Sequence, residues 1–121
     1  MYPRLVGHFV NARDLVSRKF PEMAGVNLRI GCPDIDMRRK NGSARSYMHV
    51  NHVPNTICVH PAAELLPARN LWGLYLHEFG HLLDPGGEGE ANQVIHDSFG
   101  IRILYGEDML QFIDLKTQLD I

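Results

Sequence analysis

The chain has 121 residues, 45% hydrophobic and 21% charged, which fits one compact globular domain over residues 1–121 and excludes a disordered tail. Lys plus Arg at 12 against Asp plus Glu at 14 leaves a formal charge of -2, so no overall basic field draws the protein to nucleic acid or anionic lipid. Apolar runs such as Leu71 to Leu76 break within a few residues, and the opening MYPRLVGHFVNARD has no signal-peptide core, so no membrane partner and a cytoplasmic location are expected.

Along the chain, Leu5, Phe9, Ala12, Val16 and Phe20 recur at spacings of three or four, a helical stripe over residues 4 to 20 that Pro21 ends. Val26, Leu28 and Ile30 then alternate with polar residues, which predicts a strand. Asn41-Gly42 between Ile35–Lys40 and Ser43–Val50 is a hairpin signature, because a type I′ turn needs positive φ at both central residues. Thr56-Ile57-Cys58-Val59 is β-branched and apolar and reads as a buried strand. From Pro67 the period turns helical and apolar around much of its circumference until Pro85-Gly86-Gly87, so this helix should be central. A second helix should run from about Glu88 to Phe99, with Gly100 just past its end. In the tail, Ile101, Ile103 and Tyr105 alternate like a strand, whereas Met109 to Leu115 fits either helix or extended chain. By position, Glu107 to Ile121 is a candidate cover for a latent site. Cys32 and Cys58 are too few for a disulfide scaffold and are expected to be reduced, packing as small hydrophobes.

Histidine is over-represented, with 7 residues, and its placement carries the chemistry. Within the central helix stands His77-Glu78-Phe79-Gly80-His81, an H-E-x-x-H motif. Residues i and i+4 share one helix face, so both imidazoles can reach one ion at about 2.0–2.1 Å. Glu78 is rotated by about 100° from His77, beside the ion rather than on it, where it can take a proton from water. Gly80, lacking a side chain, allows another backbone segment to pass close to the helix. A catalytic zinc needs a third protein ligand. Glu88, in the first turn of the next helix, is the choice; Glu90 competes and His96 is more distant. Asn92, four residues after Glu88, can hold a ligand histidine by a hydrogen bond.

His77-Glu78-Phe79-Gly80-His81 followed by Glu88-Gly89-Glu90-Ala91-Asn92 resembles the gluzincin metallopeptidases, in particular the ImmA/IrrE-like group, whose pattern is H-E-x-x-H and then E-x-x-A-N on the next helix. Minimal gluzincins of about this size are a second similarity. The resemblance covers roughly residues 43 to 100. It implies His77, His81 and Glu88 as zinc ligands, Glu78 as general base, and Asn92 as the support of a ligand.

The expected fold is α+β and zincin-like. A small mixed sheet of about three to four strands packs against the N-terminal and H-E-x-x-H helices, and a following helix supplies the third ligand. Ser46 to Val50 is the candidate exposed edge strand for an extended peptide. The expected function is zinc-dependent hydrolysis of peptide bonds in a protein or peptide substrate. The alternative is a non-catalytic zinc-binding regulatory or interaction domain that keeps the same site. His49, His52 and His60 read as polar strand and turn residues. Tyr47, Tyr75 and Tyr105 read as amphipathic core residues before oxyanion donors. Arg38, Arg39, Lys40 and Arg45 make a basic hairpin tip, best read as a solvated turn; the net charge argues against a nucleic-acid partner.

Overall fold

A computed structural model describes residues 1–31, 47–50, 53–107 and 110–114. The Asn41-Gly42 turn, the basic tip and His52 lie outside the described residues. Helix α1 spans Pro3–Ser17 and buries Leu5, Phe9, Ala12 and Val16, the stripe read from the sequence. Its N-terminal residue Tyr2 supplies no side-chain cap. The Glu64 carboxylate does so from a distant turn, accepting from the Arg4 and Leu5 amides at 3.1 and 2.8 Å. A carboxylate there meets the positive end of the helix dipole as well as its unpaired N–H groups.

After a 3₁₀ turn at Pro21–Gly25, strand β1 (Asn27–Ile30) runs parallel to β3 (Thr56–Val59), in register from Asn27 opposite Thr56 to Ile30 opposite Val59. Strand β2 (Met48–His49) pairs antiparallel on the other side of β3, so the mixed sheet has the order β1-β3-β2. The central β3 is buried along its whole length, as its β-branched apolar sequence requires. Of the expected edge segment, Met48 and His49 form the strand, flanked by Tyr47 and Val50, while Ser46 lies outside the described residues. Cys58 on β3 is disulfide-bonded, which corrects the expectation of reduced cysteines; Cys32 lies outside the described residues. Pairing requires Cβ atoms about 3.5–4.5 Å apart, a condition that strand packing sets and cysteine spacing does not reveal.

Helix α2 (Ala68–Leu83) is the centre of the molecule, buried continuously from Asn70 to Gly80. On one side Phe9 of α1 meets Tyr75 edge-on at 5.7 Å and stacks with Phe79 at 6.1 Å. The tail forms a hairpin of β4 (Ile103–Tyr105) and β5 (Gln111–Ile113), so the ambiguous Met109 to Leu115 segment is extended over its described part. This hairpin lies on the first turns of α2. Asn70 Nδ2 donates to the Gln111 carbonyl at 2.8 Å, and a Cβ on Gly73 would stand 2.7 Å from Phe112 Cα. The described part of Glu107–Ile121 is therefore built into the fold against the half of α2 that precedes the histidines. Among the described residues no helix is long and apolar enough to cross a membrane.

Helix α3 (Glu88–Phe99) follows a short reversal and ends at Gly100, whose φ of 70° is the left-handed closure that favours glycine. The observed architecture is a small α+β arrangement of three α-helices and two small sheets among the described residues.

Candidate metal centre

The site is built where α2 ends and α3 begins. Asp84 closes α2 and its Oδ1 accepts from the Gly86 amide at 2.9 Å, a local turn that sends the chain back along the helix it has just left. What brings the two helices together is Gly80. A Cβ there would fall 2.2 Å from the Ala91 carbonyl oxygen and 2.7 Å from its carbon, so the backbone of α3 occupies the space that a side chain would fill. The expectation of a close backbone approach at Gly80 is met, and the segment that approaches is the first part of α3.

That contact aims α3 at the histidines. Glu88, its first residue, places Oε2 2.6 Å from His77 Nε2 and Oε1 3.3 Å from His81 Nε2. The two Nε2 atoms are 3.0 Å apart. One turn further on, Asn92 Oδ1 lies 2.7 Å from His77 Nδ1. An amide oxygen only accepts, so Nδ1 carries the hydrogen and donates it. In the neutral ring, Nε2 then presents a lone pair toward His81 and Glu88. Burial, the foremost cause, together with the neighbouring His81, holds His77 below the ordinary imidazole range, against the opposing pull of Asn92 and Glu88. That direction favours the neutral form, which is the one that ligates metal.

Two imidazole nitrogens and a carboxylate converging in this way repel one another unless a cation or a proton lies among them. Ligand atoms about 2.0–2.1 Å from a tetrahedrally bound ion stand roughly 3.3 Å apart. The separations of 3.0 Å between the imidazoles and 3.3 Å from His81 to Glu88 are near that spacing, whereas the 2.6 Å from His77 to Glu88 is a hydrogen-bond distance. His77, Glu78 and His81 also form a group that could hold a metal ion, their ligating atoms lying within 4.8 Å of one another.

Two carboxylates thus border the histidines, and their environments differ. Glu88 touches both imidazoles, and its side chain is 69% exposed, which leaves the site open to solvent on that side. Glu78 is 6% exposed, and its Oε2 has no hydrogen-bond partner among the described residues. Burial first, and the Glu88 charge second, push the Glu78 carboxyl up to about 8. A buried carboxyl with an unused oxygen and a raised pKa beside a group that could hold a metal ion is a candidate for proton exchange.

The competing residues are placed elsewhere. Glu90 folds back on the glycine turn, its Cβ 2.9 Å from a Cβ built on Gly86 and its Oε2 3.1 Å from one built on Gly87. His96 faces Asp97 at 3.6 Å and lines an open pocket with Gly89, Asn92, Gln93 and Arg102. His60 accepts from the Ala62 amide at 3.0 Å and caps the 3₁₀ turn Pro61–Leu65, which is the plain structural role. Tyr75 donates its hydroxyl to the Leu5 carbonyl at 2.8 Å in the core, and burial raises its pKa further. Tyr47 packs at the margin of the core. Tyr105 is different: its hydroxyl oxygen accepts from Asn92 Nδ2 at 3.0 Å. Sequence reasoning weighed Tyr105 only as a core residue or an oxyanion donor, and no local signal shows that the hairpin folds back onto α3.

No protein-family model matches the chain, and no curated protein or solved structure matches it.

Proposed function

We propose that this protein is a zinc-dependent metallopeptidase of gluzincin type, acting on a protein or peptide substrate. The observation that carries the reading is the convergence of His77, His81 and Glu88 at separations of 2.6 to 3.3 Å, with the buried Glu78 beside them. In this reading His77, His81 and Glu88 hold the ion, Asn92 orients His77, and Glu78 is the general base. A bound zinc supplies Lewis acidity, polarising the scissile carbonyl and lowering the pKa of water to about 7. Glu78 receives the proton of the attacking water and returns it to the leaving amine. Strand β2 lies at the edge of the described sheet, where an extended peptide would add by main-chain hydrogen bonds. The H-E-x-x-H and E-x-x-A-N pattern, read on two consecutive helices, supports the same class.

The test has two parts. Elemental analysis of protein purified without added metal should give about one zinc per chain, and Glu78→Gln should keep that zinc while losing cleavage of a quenched-fluorescent peptide library. Zinc bound with no cleavage by either protein would point to a non-catalytic zinc-binding domain. Absence of zinc even after incubation with it would remove the metal reading.

A further inference from the structure

The β4–β5 hairpin follows α3 closely in sequence and, among the described residues, meets the metal cluster where Tyr105 lies against Asn92. Asn92 has one end that accepts and one that donates, and both are committed. Oδ1 takes the His77 Nδ1 hydrogen at 2.7 Å, and Nδ2 gives a hydrogen to Tyr105 Oη at 3.0 Å. Of the two, the imidazole bond sets which nitrogen of His77 keeps its lone pair. The phenol bond fixes the plane of the amide that makes it, on a helix face where Asn92 would otherwise turn toward solvent. Accepting from Nδ2 also polarises the amide and strengthens Oδ1 as an acceptor. Tyr105 is 40% exposed, so its ring contributes little to the core, and its hydroxyl is the part with a partner in the site.

We infer that Tyr105 is a positioning residue of the metal centre, acting through Asn92 to hold His77 with its Nε2 lone pair turned toward His81 and Glu88. This rests on the zinc-site reading above and adds a residue to it that neither the motif nor its helices contain. It gives the terminal hairpin a task at the site: Tyr105 reaches Asn92 because β4 is pinned by β5, and β5 is pinned to α2 through Gln111 and Asn70. A loss of the Tyr105 hydroxyl should therefore weaken metal binding while leaving the fold intact.

The experiment is a double-mutant cycle read as zinc affinity, by competition with a chromophoric chelator, on the full chain. Tyr105→Phe should bind zinc about 10–100-fold more weakly than the unmodified protein, the range expected when a partner of a ligand is removed. In an Asn92→Ala background the same substitution should change the affinity less than about twofold, because the path through the amide is already gone. Cobalt-substituted unmodified protein and Tyr105→Phe should show the same four-coordinate visible spectrum at saturating metal, since no ligand is lost. Melting of the metal-free proteins should differ little. Equal zinc affinity of Tyr105→Phe and unmodified protein would overturn the inference while leaving the site reading intact, as would an undiminished Tyr105→Phe effect in the Asn92→Ala background. Failure of the unmodified protein to bind zinc would instead overturn the site reading. Should Tyr105→Phe not fold, nitrogen NMR of the His77 ring in the metal-free unmodified protein and in Asn92→Ala decides. Hydrogen on Nδ1 in the first and not in the second supports the path through the amide; the same tautomer in both refutes it.

Discussion

Replacing Gly80 by Ala tests the contact on which the whole site depends. The added methyl would lie 2.2 Å from the Ala91 carbonyl oxygen, 2.7 Å from its carbon and 3.0 Å from its Cα. All three are backbone atoms of α3, so no rotamer change relieves them; the helix itself must retreat by about 1.2 Å to reach an ordinary contact of 3.4 Å. Overpacking of this kind costs about 1–3 kcal/mol, and backbone obstruction places it at the upper end. Alanine recovers about 1 kcal/mol of helix propensity. The net expectation is a loss of about 2 kcal/mol, seen as a melting temperature lowered by roughly 5–10 °C. Because Glu88 and Asn92 flank Ala91 on the same helix, their contacts with His77 at 2.6 and 2.7 Å lengthen together, and zinc affinity should fall by about 100-fold or more. Gly7→Ala is the internal control, since a Cβ at Gly7 on α1 meets nothing within 4 Å; it should raise stability by about 0.5–1 kcal/mol. Differential scanning calorimetry and chelator competition on both variants make the comparison. A Gly80→Ala protein that melts at or above the unmodified one, or binds zinc as tightly, would refute the reasoning.

Three further predictions follow from the geometry. Glu88→Ala should lose zinc stoichiometry, and Glu90→Ala should retain it, because only Glu88 touches the imidazoles; the reverse pattern by elemental analysis would reassign the third ligand. In metal-free protein the Glu78 carboxyl, raised from 4.5 to about 8, adds stability that is complete below its unfolded pKa and withdrawn as pH rises through the folded one. Melting of the unmodified protein should therefore fall, relative to Glu78→Gln, between about pH 5 and about pH 9, and parallel melting curves across that range would contradict the burial argument. Glu64→Ala removes the carboxylate that accepts from the Arg4 and Leu5 amides. It should cost about 1–2 kcal/mol, or roughly 4–10 °C in melting temperature, whereas an unchanged melting curve would mean that α1 needs no cap.

Much of the molecule is set by local rules that the sequence displays. The spacing of Leu5, Phe9, Ala12 and Val16 defines the buried face of α1, and Thr56–Val59 reads as the interior strand that it is. The four-residue interval between His77 and His81 puts both imidazoles on one face of α2 whatever surrounds it, because helical periodicity is a property of the backbone. Gly100 marks the end of α3 for a similarly local reason, its positive φ.

Long-range packing decides what those rules leave open. Glu88 and Glu90 both occupy the first turn of α3, where any carboxylate is favoured by the helix dipole, so only the E-x-x-A-N pattern, and no physical rule of the helix itself, favours Glu88 in the sequence. They point about 200° apart around the helix, and the rotation that turns Glu88 to the histidines and Glu90 to the glycine turn is set by Ala91 lying against Gly80. The bonded state of Cys58 depends on which strands meet, and the extended form of Gln111–Ile113 on its seat over Gly73. Tyr105 likewise reaches Asn92 only because the hairpin that follows α3 is folded back beside it. Each involves residues on different elements, about whose meeting the periodicity within either element carries no information. The sequence by itself therefore determines the two-histidine face and its glutamate. The tertiary structure decides that the Glu88 carboxylate, which the sequence pattern only favours, faces that pair, and it alone brings the Tyr105 phenol to Asn92, because both depend on packing between elements.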